Sequence, residues 1–452
     1  MDDAFMYTMH ADNLCAGRRY ADTCYVVNPE NPYVGPASYP PGYPAVICVV
    51  KKLGGGMKAM KAVNALSIGA LALTLTLLPS SSAGTALSAG TAALVAMAPA
   101  LWEHKDLLYS DIIFTLLLYL ALLLHQTAGL RGKNWISALE GFVLYIAYAV
   151  RPLGALLPAA FVIKDFYSGT LRGRAAVLRL AFFSVPVILQ ALFFPLFQYT
   201  AQLHSPIKES AFTGAVHVLG YFFSGFNAFW TIRPASSALA SVAALPLTLL
   251  LLGFYAAGAA RRFRVGKPEA MDIFTLLYIA AIAFFGMFDG VRYVFPLVPF
   301  LTWKALENAT EAKNLLRRAV PAIFVTAGVL FGWSYLVKAD YKDISDGPTG
   351  KPAHEMFGYL SGTTKPDDTI IFFKPRTLCY FTGRKSSIYP PAGDDEHFLE
   401  YFRKVGAGYL VVSRNSEQDR KFLYEFVRRN GVLLEKEFEN SDFKVYRIKS
   451  NK

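Results

Sequence analysis

A chain of 452 residues that is 54% hydrophobic, with a mean hydropathy of +0.33, is too apolar for a soluble enzyme of its length. Only 17% of the residues are charged, and they cluster between long apolar runs, as in a series of helices that each need roughly 17–25 apolar residues to cross a bilayer. The formal net charge of +12 does not point to nucleic acid, and no nucleic-acid partner is expected: its densest group, RRFRVGK (261–267), sits in a short loop between two apolar runs and reads as a topology signal.

In chain order, the sequence opens MDDAFMYTMHADNLCAG, with two carboxylates and neither an apolar segment nor a signal peptide ahead of them. YPAVICVV (43–50) is too short to span and predicts a helix lying at the membrane interface. Apolar runs then predict spans at roughly 57–80, 86–102, 108–126, 135–150, 152–166, 175–199, 236–258, 269–288, 291–305 and 318–337. Among them, SSSAGTALSAGTAA carries the small residues that let helices pack closely. Counted alternately, RGK (131–133), KDFYSGTLRGR (164–174), RRFRVGK and KNLLRR (313–318) fall on one side, which the positive-inside rule makes the cytoplasm. The acidic start, Asp111, Arg151, the loop 200–235, FDGVRY (288–293) and everything after about residue 338 fall on the other.

The last hundred or so residues change character. DDTIIFF and AGYLVVS read as strands, whereas DDEHFLEYFRKV and SEQDRKFLYEFVRRNG have helical spacing, the second with a glycine placed to cap its end. The expected organisation is an external loop with an acidic motif and an interfacial helix (1–56), a transmembrane domain of about ten helices (57–338) and a soluble extracytoplasmic α/β domain (339–452). In class this is an α-helical polytopic membrane protein with a small C-terminal α/β domain. The four cysteines form neither a metal pattern nor a disulfide framework. Cys15 and Cys24 can pair if their segment is outside the cell, and free thiols fit equally well.

Each candidate for chemistry has a bland reading. Asp2 and Asp3 can be a solvated acidic terminus. Asp111 can be an acid favoured by the helix dipole, with Ser110 as its cap. Arg151 and Arg292 can be border arginines that snorkel. His204, Lys208 and His217 share a loop whose many rings are ordinary interface anchors. Glu140 lies inside an apolar run, which normally marks function, yet it falls near the cytoplasmic end and can simply reach the headgroups.

The stretch DDAFMYTMHADNLCAGRRYAD followed by YPPGYPAV resembles the first external loop of the GT-C glycosyltransferases. These multi-span enzymes use polyprenyl-phosphate-linked sugars and include protein O-mannosyltransferases and lipid A aminoarabinose transferases. APALWEHKDLLYSDII, AYAVRPLGALLPAA, DGVRYVFPLVPFL, and PRTLCYFTGRK with AGYLVVS are similar to further stretches of that family, in the same order over nearly the whole chain. The resemblance implies a GT-C fold, with Asp2 catalytic and Asp3 beside it. It implies a divalent metal as a candidate cofactor at Asp111, and Arg151 and Arg292 as partners of the donor phosphate, where Lys208 or His204 can join them. The expected partners are a lipid-linked sugar donor, membrane lipids, and a protein, lipid or polysaccharide acceptor. In the family the acid pair follows a first span, which this chain lacks, so a truncated start is a further expectation.

The residue types suit the chemistry independently. Displacing a lipid phosphate from an anomeric carbon needs a carboxylate to deprotonate the acceptor hydroxyl. It also needs fixed positive charge, or a metal, where the charge on the leaving phosphate grows. A proton-coupled transporter is one alternative, but the acids gather at one face and no repeat is visible. A polysaccharide polymerase or ligase, which shares the lipid-linked substrate, is another.

Overall fold

In an apolar setting, backbone groups find partners only in one another, and helices satisfy them locally. The structure is a computed structural model that describes residues 2–31, 35–78, 84–169, 173–193, 211–231, 238–285, 290–311, 319–338 and 347–449. Among the described residues nine α-helices come first: α1 Asp2–Cys15, α2 Gly42–Lys52, α3 Met57–Leu77, α4 Gly84–Ala96, α5 Pro99–Lys105, α6 Asp111–Arg131, α7 Asn134–Val150, α8 Leu156–Tyr167 and α9 Arg174–Phe193. Ala211–Ala228, Ala238–Arg264, Ala270–Phe285, Val298–Glu311 and Ala319–Trp333 follow. Among the described residues, Met57–Leu77, Asp111–Arg131, Arg174–Phe193, Ser241–Arg264 and Val320–Val337 are long and apolar enough to cross a membrane. The 21 residues of α3, at roughly 1.5 Å each, match a hydrocarbon core of about 30 Å. The pair α4 and α5 makes a sixth candidate, bent by 51° just ahead of Pro99, where a proline cannot continue the helical ladder.

Helix α7 packs between α6 and α9. Gly141 permits this approach, because a Cβ there would lie 2.2 Å from the Arg179 carbonyl oxygen. The same closeness overturns the expectation that Glu140 reaches headgroups. Its carboxylate is fully buried, with Oε1 3.0 Å from His125 Nδ1 and 3.4 Å from Arg179 Nη1, while Arg179 Nη2 donates to Asp165. A buried carboxylate needs such partners to stay ionised.

The C-terminal region holds a five-stranded sheet: β1 Thr369–Ile371, β2 Lys385–Ser387, β3 Ala407–Ser413, β4 Leu434–Glu439 and β5 Phe443–Ile448, in the order β2-β1-β3-β5-β4. β1 runs parallel to β2 and β3, and β5 is antiparallel to β3 and β4. Side chains alternate across β3: Leu410 and Val412 join one core with Phe402, Leu423 and Phe426, while Tyr409 and Val411 join another with Met356, Phe357 and Leu378. Asp394 and Ser416 cap the helices Asp395–Lys404 and Glu417–Arg429 by accepting from His397 N and Asp419 N. The second helix ends on Asn430 rather than on a left-handed glycine, because the Asn430 side chain bonds both Phe426 O and Asp395.

The segment after α1 runs along the edge of this sheet. Val26 N donates to Ser386 O (2.8 Å), Ser386 N donates to Cys24 O (3.0 Å), and the Asn28 side chain donates to Ile388 O (3.0 Å). Two disulfides secure the arrangement, Cys15–Cys48 between α1 and α2 and Cys24–Cys379 between this segment and the C-terminal region. The pairing corrects the sequence reading, which found no disulfide framework and weighed Cys15 with Cys24 against free thiols. A bridge across 355 residues of sequence leaves no local trace in the sequence.

Candidate active site

Helix α1 opens with Asp2 and Asp3 in its first turn, where unpaired backbone N–H groups and the helix dipole favour negative charge. The apolar body of the helix, including Phe5, Met6 and Met9, is buried, and it packs against α2 and the helix Pro375–Thr382. This packing draws the acid pair inward. Asp3 is saturated: Tyr39 OH donates to Oδ1 (2.6 Å), Arg376 Nη1 donates to the same oxygen, and Arg292 Nη1 lies 3.4 Å from Oδ2. Asp2 differs. Its Oδ1 accepts from Thr377 N and Thr377 Oγ1, both at 2.9 Å, while Oδ2 is buried with no hydrogen-bond partner among the described residues.

The arginines reach the same place by distinct local rules. Helix α7 stops at Val150 because Pro152 forces Arg151 into extended backbone (φ −148°, ψ 129°). From there Arg151 Nη1 donates to Asp111 Oδ1, and Asp111 Oδ2 is left buried without a hydrogen-bond partner among the described residues. Ser110 makes no cap, since its hydroxyl meets Tyr7 OH at 3.2 Å. Leu108 is the only described non-glycine residue at positive φ (51°). That strained turn carries the chain to Tyr109, whose ring receives the Arg292 guanidinium at 4.9 Å. Tyr293 is flanked by both arginines, with Arg151 at 5.3 Å and Arg292 at 5.5 Å from its ring centre. Asp2, Asp3, Arg376, Arg292, Tyr293, Arg151 and Asp111 thus form one connected network.

Electrostatics divides the acid pair. Burial pushes the Asp2 carboxyl above the ordinary range, and Arg376 and the two Thr377 donors only partly offset it. Asp3 is buried as well, but Arg376, Arg292 and the Tyr39 hydroxyl outweigh that cost and hold it below the ordinary range. One carboxylate is therefore fixed and ionised, and its neighbour keeps a free oxygen with raised proton affinity. Such an oxygen is suited to accept a proton.

The described residues do not by themselves make a metal site. Structural and catalytic ions take three or more protein or water donors in a set geometry. Asp111 shares one oxygen with Arg151, Asp3 spends both on cations and a tyrosine, and no three His, Cys, Asp or Glu side chains are placed to hold a metal ion among the described residues. Of the other residues singled out in the sequence, His204 and Lys208 lie outside the described residues, and His217 is exposed on the helix Ala211–Ala228. Sequence reasoning missed Arg376, Thr377 and Tyr39. The signal for the first two was the stretch PRTLCYFTGRK, whose arginine and threonine stand three and two residues before a cysteine that bridges to the loop behind the acid pair.

No protein-family model matches the sequence, and no curated protein matches it. Solved structures do match by fold. ArnT from Cupriavidus metallidurans, solved bound to undecaprenyl phosphate, superposes with a TM-score of 0.53 at 13% identity, covering 99% of this chain and 93% of that one. The archaeal oligosaccharyltransferase AglB from Archaeoglobus fulgidus, in complex with an inhibitory peptide and a dolichol-phosphate, gives 0.55 at 12% identity over 91% of this chain. This chain spans 65% of that protein's length. The Archaeoglobus fulgidus oligosaccharyltransferase in complex with Zn and sulfate gives 0.55 at 13% identity, covering 91% of this chain and 64% of that one. The likeness shows the fold alone: an α-helical chain with several helices long and apolar enough to cross a membrane and a small C-terminal sheet.

Proposed function

We propose that the protein is a glycosyltransferase that moves a sugar from a polyprenyl-phosphate donor to an acceptor hydroxyl at the extracytoplasmic face of the membrane. The observation that carries this reading is the buried, unbonded Asp2 Oδ2 in one network with Arg292 and Arg151. The GT-C fold, seen in structures bound to undecaprenyl phosphate and dolichol-phosphate, supports the same donor class. Asp2 Oδ2 takes the acceptor proton as the acceptor oxygen bonds to the anomeric carbon. The bond from that carbon to the phosphate oxygen breaks, and the electron pair leaves with the polyprenyl phosphate. Arg292 and Arg151 meet the growing charge, which in a poorly screened site favours the transition state over the ground state. A single displacement inverts the anomeric configuration.

The loop 1–56, the membrane helices within 57–338 and the region 339–452 are the domains of this reading, with the last outside the cytoplasm. Two disulfides support that side, since such bridges persist in oxidising compartments. Alkaline phosphatase fused after Lys452 is expected to be active, and activity only from a cytoplasmic reporter there would reverse the sidedness. For the chemistry, Asp2→Asn in membranes supplied with polyprenyl-phosphate sugars is expected to abolish transfer at unchanged expression. Unchanged transfer in that variant overturns the reading.

A further inference from the structure

Two adjacent residues of one C-terminal helix hold both members of the acid pair. Arg376, on Pro375–Thr382, has a side chain only 1% exposed; Nη1 donates to Asp3 Oδ1 and Nε stands 3.8 Å from Asp2 Oδ2. Its guanidinium lies over the rings of Tyr25 (5.2 Å) and Tyr39 (5.5 Å). Thr377 binds Asp2 through both its backbone N–H and its hydroxyl. Cys379, two residues further on, is bridged to Cys24. The helix that grips the carboxylates is therefore covalently tied to the segment that follows α1.

An arginine sealed by two rings and two carboxylates has no open face for a donor phosphate, unlike an arginine that binds substrate. We infer that Arg376 is a positioning residue, supplied by the C-terminal region and latched by the Cys24–Cys379 bridge, that orients Asp2 and Asp3 and neutralises them as a pair. This rests on the acid pair being the seat of the chemistry. Two neighbouring buried carboxylates repel each other and lose hydration, so removing one shared cation leaves uncompensated buried charge. The charged and titratable groups facing the pair are Arg376, Arg292, the chain's amino terminus, Tyr39, Tyr25 and Tyr7, and Arg376 also faces His10, which burial holds down to about 4. Burial raises all three tyrosines, Tyr25 to about 12, so they stay neutral at working pH. On α2, Tyr43 is raised likewise, and Lys51 is engaged by Asp12.

The sign of the pH effect follows. In the native protein Asp3 is depressed, so its share of stability is present above the unfolded carboxylate range and is lost as pH falls through its folded value. Asp2 is already raised and works in the opposite sense. Arg376→Met removes the largest favourable charge from both carboxyls, so the cost of the substitution is expected to be greatest near neutrality, where both are ionised, and to shrink as the pair protonates on acidification.

The test uses full-length, oxidised protein in nanodiscs and four proteins besides the native one: Arg376→Met, Arg376→Lys, Arg376→Met with Asp3→Asn, and Cys24→Ser with Cys379→Ser. The melting gap between Arg376→Met and the native protein is expected to be widest near pH 7.5 and to narrow toward pH 4. Adding Asp3→Asn should restore much of it. For sugar transfer, Arg376→Met should lower kcat by more than about tenfold, with donor KM within about twofold, and move the acidic limb of the profile up by about one pH unit. Arg376→Lys should recover most of the loss, and the double serine variant should move the limb the same way by less. Undecaprenyl phosphate binding should stay unchanged in the three variants that keep Asp3, whose carboxylate is the one paired with Arg292. A melting gap that is constant with pH and is not rescued by Asp3→Asn overturns the inference. If the native protein neither binds undecaprenyl phosphate nor transfers sugar, the glycosyltransferase reading fails, while the melting series still decides the role of Arg376.

Discussion

The network of Asp2, Asp3, Asp111, Arg151, Arg292 and Arg376 and the cluster of His125, Glu140, Asp165 and Arg179 use the same parts. Each sets carboxylates against arginines whose guanidinium groups lie over aromatic rings, Tyr293 for Arg151 at 5.3 Å and Phe161 for Arg179 at 5.3 Å. Their origins differ. The second cluster comes from four consecutive helices, α6 to α9, and its central carboxylate, Glu140, is fully buried between them. The first is assembled from residues 2, 3, 111, 151, 292 and 376, and Asp3 keeps a quarter of its side chain exposed. Consecutive helices seal their polar groups inside a bundle, whereas a junction of distant segments leaves a carboxylate within reach of solvent and substrate. Burial of charge alone therefore does not distinguish a functional site from a structural clamp. An unpartnered oxygen does not distinguish them either, since Glu140 Oε2 also lacks a hydrogen-bond partner among the described residues; access does, a quarter of the Asp3 side chain being exposed.

That contrast can be broken by substitution. Asp2→Asn removes the free oxygen while keeping an acceptor for both Thr377 donors. It is expected to lower sugar transfer by about 10²–10⁴-fold with little change in melting temperature. A large melting loss with proportionate activity would make the pair a clamp like the other cluster.

Arg179→Met should do the reverse. It strands Glu140 and Asp165 without their cation, which costs about 3–5 kcal/mol for a buried pair. The measurement is thermal melting of purified protein, and a stable variant that lacks activity would promote this cluster from clamp to site.

Tyr293→Leu removes the ring shared by Arg151 and Arg292. Cation–π contacts of this kind contribute about 0.5–2 kcal/mol, so undecaprenyl phosphate is expected to bind several-fold more weakly with Asp2 chemistry intact. Unchanged affinity, measured by titration in nanodiscs, would show that the arginines are ordered without the ring.

The smallest effect belongs to an exposed contact. Glu30 Oε2 lies 2.6 Å from His397 Nε2, where the loop meets the C-terminal region. Both groups are well exposed, so Glu30→Ala should cost less than about 1 kcal/mol. A loss as large as that of Arg179→Met would mean that surface docking, rather than the disulfide and Arg376, holds the two regions together.

Much of the architecture was legible in the amino-acid order. A helix overlaps each expected apolar run among the described residues, because apolar sequence satisfies its backbone locally. Among those residues only five helices, or six with α4 and α5 joined, are long and apolar enough to cross a membrane, where about ten spans were expected. DDTIIFF and AGYLVVS became β1 and β3, since alternating apolar side chains suit a sheet with a core on each face. Asp2, Asp3, Asp111, Arg151 and Arg292 could be singled out because each is an ionisable group beside apolar sequence, where a charge needs a reason. What could not be read was partnership. Only the folded chain brings Arg376 and Thr377 to the acid pair, turns Ser110 from a cap into a partner of Tyr7, and joins Cys24 to Cys379. Local sequence sets backbone conformation and the charge a residue can carry. The choice of which distant charges meet, and which oxygen is left without a partner, belongs to tertiary packing, because each contact exists only after the intervening helices have found their places.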